Sequence, residues 1–144
     1  MTADPYDLER FVSAQAGVHE RALAELRAGR KQSHWMWFVF PQSQGLGRTS
    51  TARRYAIASL DEARAYLDHP VLGPRLLECT AAATEAEAPS LHALFGSPDN
   101  LKFISSMTLF ALVAEDPGPF RRALERWNGG RQDARTLELM AEPG

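Results

Sequence analysis

The side chains best suited to chemistry lie in one stretch, KQSHWMWFVFPQ, which runs from Lys31 to Gln42 and which we name the aromatic segment. Aromatic faces beside a few convergent polar groups are typical of sites for planar ligands. We therefore predict that the segment binds a ligand through Lys31, Trp35, Trp37 and Gln42. His34 is predicted to act as a catalytic base. Core packing of the tryptophans and a hydrogen-bonded, half-buried histidine are the alternative interpretation.

A second group of polar residues lies further along, in NLKFISSMT from Asn100 to Thr108. Spacings of three and four residues place Lys102, Ser105 and Ser106 on one helix face. Burial of an ammonium and two hydroxyls costs free energy unless they are paired, which predicts that this face lines a pocket. We predict catalytic roles for Lys102, Ser105 and Ser106, since a lysine can activate a nearby serine, and a ligand contact for Thr108. Hydroxyls bonding back to the preceding turn are the alternative.

Two further motifs carry weaker signals. The loop GLGR at residues 45–48 resembles an anion-binding loop, but its spacing matches no Walker or dinucleotide motif, and a plain turn explains it. Asp133 is predicted either to contact a ligand with a neighbouring arginine or simply to cap the last helix. The histidines are scattered, with no pair at helical ligand spacing, so we predict no metal and expect no cofactor.

Helices must position these residues, and the sequence predicts an all-α fold, a single compact bundle of about seven short helices. An apolar stripe predicts a first amphipathic helix that begins after Asp4 and stops at Gly29. Ser59 and Glu62 form a capping box. The segment from Asp99 onward is predicted to be a central, largely buried helix. The middle of the aromatic segment is predicted to be helical, with a buried strand as the alternative.

Composition limits the classes of function. The 144 residues are predicted to form one domain, residues 1–144, and the formal net charge of −2 argues against nucleic-acid binding. One cysteine, Cys79, excludes an internal disulfide and favours a reducing compartment. The sequence has neither a signal-peptide layout nor an apolar run long enough to cross a membrane. We therefore expect a cytoplasmic protein that does not bind membranes and that exists as a monomer or a small homo-oligomer.

Longer motifs give the sequence a family resemblance. They are DLERFVSAQ, GRKQSHWMWFVFPQ with the GLG that follows, HPVLGPRLLECT, FGSPDNLKFISSMTLF and GG-x-x-D-x-x-T. Over about residues 7–139 the chain resembles the domain-of-unknown-function 1810 family, small bacterial proteins sometimes labelled calpastatin. The resemblance implies a compact all-α fold and no established activity. The calpastatin label does not suit the chain, because calpastatins are long and disordered whereas 44% of these residues are hydrophobic.

The resemblance also points to a set of polar positions within the family's motifs. In this chain they are Gln15, Lys31, His34, Gln42, Lys102, Ser105, Ser106, Thr108, Asp133 and Thr136. A fainter similarity, HP-x-L-x-x-RL-x-x-CT, links the chain to helical hydrolases that remove ADP-ribose from modified nucleobases. The tryptophan-glycine motif and the acidic residues of those enzymes are not evident here.

Three functions follow as hypotheses. The first is a small enzyme or ligand-binding domain whose pocket, lined by the aromatic segment and the Lys102–Thr108 face, takes a nucleotide-like or other planar anionic ligand. The second is an adaptor module whose exposed tryptophans bind a partner protein. The third is an ADP-ribose-related hydrolase, implied only by the fainter similarity.

Overall fold

A computed structural model describes residues 3–141 of the chain. Within this range it contains ten helices and one isolated parallel β-bridge, between Ser43 and Ile57. The helices are α1 (Glu9–Gln15), α2 (His19–Arg27), α3 (Met36–Val39), α4 (Ser50–Arg54), α5 (Leu60–Asp68), α6 (Leu72–Glu85), α7 (Leu91–Phe95), α8 (Asp99–Val113), α9 (Gly118–Asn128) and α10 (Ala134–Ala141). The predicted all-α class is confirmed, with more and shorter helices than expected. The ends of the predicted domain, residues 1–2 and 142–144, lie outside the described range.

The first amphipathic stripe forms two helices instead of one. Gly17 has a φ of +74°, a left-handed conformation that a continuous α-helix cannot contain, and it separates α1 from α2. The predicted start after Asp4 is also wrong, because α1 begins at Glu9. The Asp4 carboxylate still satisfies the helix start, since it accepts hydrogen bonds from the backbone N–H groups of Leu8 (2.8 Å) and Glu9 (3.0 Å).

Helix α8 is the centre of the fold, as its apolar sequence predicts. Ten of its fifteen residues are buried, and it packs against α5, α7, α9 and α10. A row of four aromatic rings crosses the core at this helix. The ring centroids of Phe11 and Tyr66 lie 5.1 Å apart. Phe110 continues the row, with its centroid 5.3 Å from that of Tyr66 and 6.0 Å from that of Phe120. These contacts join α1, α5, α8 and α9 into one core.

Gln15, the polar residue on the first apolar stripe, belongs to a buried hydrogen-bond network. Its Nε2 donates to the carbonyl oxygen of Phe38 (2.7 Å) and to the hydroxyl of Tyr66 (3.0 Å), and Arg75 Nη1 lies 3.4 Å from its Oε1. Burial raises the pKa of Tyr66, so this hydroxyl stays neutral and donates to the same carbonyl. Gln15 therefore ties α1 to α3 and α5.

Candidate ligand site between the aromatic segment and helix α8

A carboxylate on α2 fixes the start of the aromatic segment. Glu25 accepts hydrogen bonds from the backbone N–H groups of Gln32 (2.8 Å) and Ser33 (3.0 Å), from the Ser33 hydroxyl, and from the indole N–H of Trp35 (2.9 Å). Burial alone would raise the pKa of Glu25, but these hydrogen bonds outweigh it and lower the pKa from 4.5 to about 2. The ionised carboxylate of Glu25 therefore holds the start of the segment in place.

Trp35 lies in the hydrophobic core. Its side chain is fully buried, and its ring centroid lies 6.1 Å from that of Phe40 and 6.3 Å from that of Phe95. Both phenylalanines in turn contact Phe103 of α8, with centroids 5.0 Å and 4.9 Å away. The aromatic segment thus packs directly on α8, and Trp35 supplies packing at this junction.

Two lysines meet at one carboxylate where the segment and α8 come together. Lys31 Nζ lies 2.9 Å from Asp99 Oδ2, and Lys102 Nζ lies 3.4 Å from Asp99 Oδ1. Lys31 also donates to the carbonyl oxygen of Ser33 (2.6 Å) and lies over the ring of Trp35, 5.1 Å from its centroid. Its three ammonium protons therefore all have partners. The Lys31 side chain is only 8% exposed, against 21% for Lys102.

Lys102 reaches the second tryptophan of the segment. Its Nζ lies 4.9 Å from the ring centroid of Trp37, which is half-buried. That cation–π contact and Asp99 are its polar contacts among the described residues, which leaves one ammonium proton without a partner there. His34 is exposed at the edge of the segment, and Gln42 is half-buried, with its amide nitrogen close to Gly47.

Ser106 follows Lys102 by one helical turn and is fully buried. Its hydroxyl has no hydrogen-bond partner among the described residues, a property it shares with Ser43 Oγ, Thr80 Oγ1 and Asn100 Oδ1. Lys102 and Phe103 both contact the aromatic segment, and a position three to four residues later lies on the same face of α8. Ser106 therefore belongs to the face that carries Lys102.

The other hydroxyls of α8 turn to a different neighbour, helix α10. Ser105 Oγ lies 3.1 Å from Asp133 Oδ2 and 3.2 Å from the carbonyl oxygen of Leu101. Thr108 Oγ1 donates to the Ile104 carbonyl (2.9 Å) and accepts the backbone N–H of Asp133 (2.8 Å). Asp133 also caps α10, because its Oδ2 accepts the backbone N–H of Thr136 (3.0 Å) and the Thr136 hydroxyl.

The residues predicted for the site, apart from His34 and Gln42, therefore fall into two groups. The structure brings together Lys31, Trp37, Lys102 and Ser106, with Trp35 buried beneath them. It places Ser105, Thr108 and Asp133 together on the α10 side, where their polar atoms bond to one another. Two depressions in the described surface lie away from both groups. One, of about 390 Å³, is lined in part by Arg27 and Glu78, and the other, of about 420 Å³, is lined in part by Asp7 and Tyr55.

Comparison with known proteins places the chain in a family. A family profile described as "Protein of unknown function (DUF1810)" matches residues 5–140. The chain belongs to the DUF1810 family. The DUF1810 chain is also similar to a solved structure, the conserved hypothetical protein Rv1873 from Mycobacterium tuberculosis, with 52% sequence identity and a TM-score of 0.95. The match covers 97% of this chain and 100% of that one. None of the curated proteins matches the DUF1810 chain.

Two acidic residues of this DUF1810 protein were not predicted as part of the site. Asp99 has a signal in the sequence, because it precedes Lys102 by three residues on one helix and such pairs interact. Glu25 has no such signal, since it lies on α2 and the residues that it binds lie in the loop before α3. Both matter to the geometry, Asp99 by joining the lysines and Glu25 by holding the segment.

A third unpredicted group lies between α2 and α6. Cys79 Sγ is 3.7 Å from His19 Nδ1, and His19 Nε2 is 3.0 Å from Glu78 Oε1, an order of atoms that resembles a cysteine–histidine–acid relay. The thiol is fully buried, and burial followed by the charge of Glu78 raises the pKa of Cys79 to about 12. A buried thiol with a raised pKa is a poor nucleophile.

Within residues 3–141, no cluster of three or more histidine, cysteine, aspartate or glutamate side chains is placed to hold a metal ion. None of the described helices of the DUF1810 chain has the length and hydrophobicity that crossing a bilayer requires.

Proposed function

We propose that this DUF1810 protein binds a small planar anionic ligand on the surface formed by Trp37 and Lys102, which we name the Trp37–Lys102 surface. The observation that carries the proposal is the incomplete set of partners on this surface. Lys102 contacts one carboxylate oxygen of Asp99 at 3.4 Å and the ring of Trp37, which leaves one ammonium proton without a partner among the described residues. Buried or half-buried polar groups are normally satisfied, so spare donors beside an aromatic ring favour a ligand.

The charges on this surface favour binding over catalysis. Lys102 is an ammonium paired with Asp99, and a general base would have to be neutral. Ser105, one of the predicted nucleophiles, is already engaged by Asp133. Catalytic roles for His34, Lys102 and Ser106 stay predictions, and the proposal itself is limited to recognition of a ring and a negative charge.

A thermal-shift screen of the whole chain tests the proposal. The probes are nucleoside monophosphates, ADP-ribose and aromatic carboxylates and sulfates. A binding probe at about ten times its dissociation constant should raise Tm by about 3–5 °C. Lys102→Met and Trp37→Leu should remove the shift, whereas the control Arg121→Met, an exposed cation on α9, should keep it. Absence of any shift across the set, or equal shifts in all three variants, would refute the proposal.

One observation favours the adaptor hypothesis as a second candidate. Leu101, which precedes Lys102, is 64% exposed, the largest exposure among the large hydrophobic side chains of the described residues. An exposed leucine next in sequence to a lysine that contacts a half-buried tryptophan is typical of a small protein contact. If a partner protein binds there, Leu101→Ser should weaken its binding by about tenfold in a titration, and Leu77→Ser, a similar leucine on α6, should not.

A further inference from the structure

We infer that Asp99 makes the Trp37–Lys102 surface select singly charged aromatic anions over doubly charged ones. The inference rests on the proposed function and specifies its ligand. It follows from the different exposure and hydrogen-bond partners of the two lysines. Lys31 is 8% exposed and fully partnered, so it serves to hold Asp99, whereas Lys102 is the more exposed cation and has a free proton.

The charge count at the surface is the basis of the selectivity. Two ammonium groups share one carboxylate, which leaves a single net positive charge for a ligand to neutralise. A ligand with two negative charges would bring its second charge next to the Asp99 carboxylate, where it has no counter-ion.

Aromatic carboxylates, sulfates and phosphodiesters share the property that the surface would select, one negative charge next to a ring. Aryl phosphate monoesters are the matched counterexample, because above a second pKa of about 6 they carry two charges on a group of nearly the same shape as a sulfate. A pair of probes that differ in charge alone can therefore be compared on the intact protein.

The test is calorimetric titration of the full chain with 1-naphthyl sulfate and with 1-naphthyl phosphate at about pH 8, where the phosphate is doubly charged. The native chain should bind the sulfate at least about fivefold more tightly than the phosphate. Asp99→Asn raises the net charge of the surface by one and should reverse the order. Adding Lys31→Gln to Asp99→Asn restores the single charge and should restore the preference for the sulfate.

The double variant also covers a folding risk, because Asp99→Asn alone leaves the nearly buried Lys31 without its counter-ion. Equal affinity of the native chain for both probes, or tighter binding of the phosphate, would overturn the inference and leave the proposed function standing. Failure of the native chain to bind either probe or any aromatic carboxylate would overturn both. A double variant that still prefers the phosphate would also contradict the charge argument.

Discussion

Glu25 illustrates at the scale of one residue how a side chain outside a motif holds the motif in place. Its two oxygens accept four hydrogen bonds from the first residues of the aromatic segment. Hydrogen bonds to an ionised acceptor are stronger than those to a neutral one, and the indole N–H of the buried Trp35 would otherwise have to find another acceptor. The position of Trp35, and of Lys31 before it, therefore depends on this one carboxylate.

Glu25→Gln should lower the free energy of unfolding by about 2 kcal/mol, because a neutral amide oxygen accepts hydrogen bonds more weakly than a carboxylate and the amide nitrogen cannot accept the one from the Ser33 hydroxyl. Chemical denaturation at neutral pH measures the change. Glu20→Gln is the matched control on the same helix, since Glu20 is exposed, and it should change stability by less than about 0.5 kcal/mol. A Glu25→Gln variant as stable as the native chain would show that the four hydrogen bonds do not anchor the segment.

The same residue predicts a pH dependence with a definite sign. The pKa of Glu25 is lower in the folded chain, about 2, than its ordinary value of 4.5, so its ionised form favours folding. Its contribution is complete above about pH 4.5 and is lost as the pH falls toward about 2. The stability difference between the native chain and Glu25→Gln should shrink over that interval.

At the scale of one element, α10 is joined to the rest of the chain by polar contacts at its start and by the partly buried Met140, which packs against the core. Thr136 is its single buried residue among those described, and Asp133, Ser105 and Thr108 connect it to α8. Leu139 adds an apolar contact, since a Cβ placed on Gly45 would lie 3.3 Å from its side chain. A helix held in this way opens at a lower free energy than the core helices.

Asp133→Ala should raise amide hydrogen exchange in α10 while leaving α8 protected, because it removes the helix cap and the link to Ser105 together. The expected loss is about 2 kcal/mol of local stability. Glu138→Ala, an exposed change on the same helix, is the control and should leave exchange nearly unchanged. Unaltered protection in Asp133→Ala would mean that the cap does not hold α10, and it would favour the predicted ligand contact of Asp133 instead.

At the scale of the whole molecule, the layout depends on a close approach between the end of α5 and the start of α6. A Cβ placed on Gly73 would lie 2.1 Å from the carbonyl oxygen of Leu67, which is backbone and cannot rotate away. Tyr66 and Leu76, on either side of this contact, are buried in the core. The absence of a side chain at Gly73 thus sets the distance between two core helices.

Gly73→Ala should destabilise the fold by at least about 3 kcal/mol, because α5 and α6 must separate to make room for the methyl group. Gly118→Ala is the matched control, since its Cβ would meet only the ends of the Arg122 and Asp116 side chains, both at 3.0 Å. Thermal or chemical denaturation of the two variants measures the difference. Equal stability of both would contradict the close approach at Gly73.

The sequence by itself determined the all-α class, the Ser59 cap, the buried character of α8 and membership of the DUF1810 family. Each of these depends on residues within a few positions of one another, since helix hydrogen bonds, caps and periodic burial are local. The prediction from local periodicity was wrong at Gly17. The apolar residues keep their helical spacing across this glycine, but its left-handed backbone interrupts the helix.

Only the tertiary structure decided which polar residues share a surface. Spacing alone placed Lys102, Ser105 and Ser106 on one face, but α10 lies against the Ser105 edge of α8 and the aromatic segment against the Lys102 edge. The Lys31–Asp99 and Glu25–Trp35 contacts join residues of different elements. Such partners are selected by packing, because a charge or an indole N–H leaving water must meet whatever group the fold brings to it.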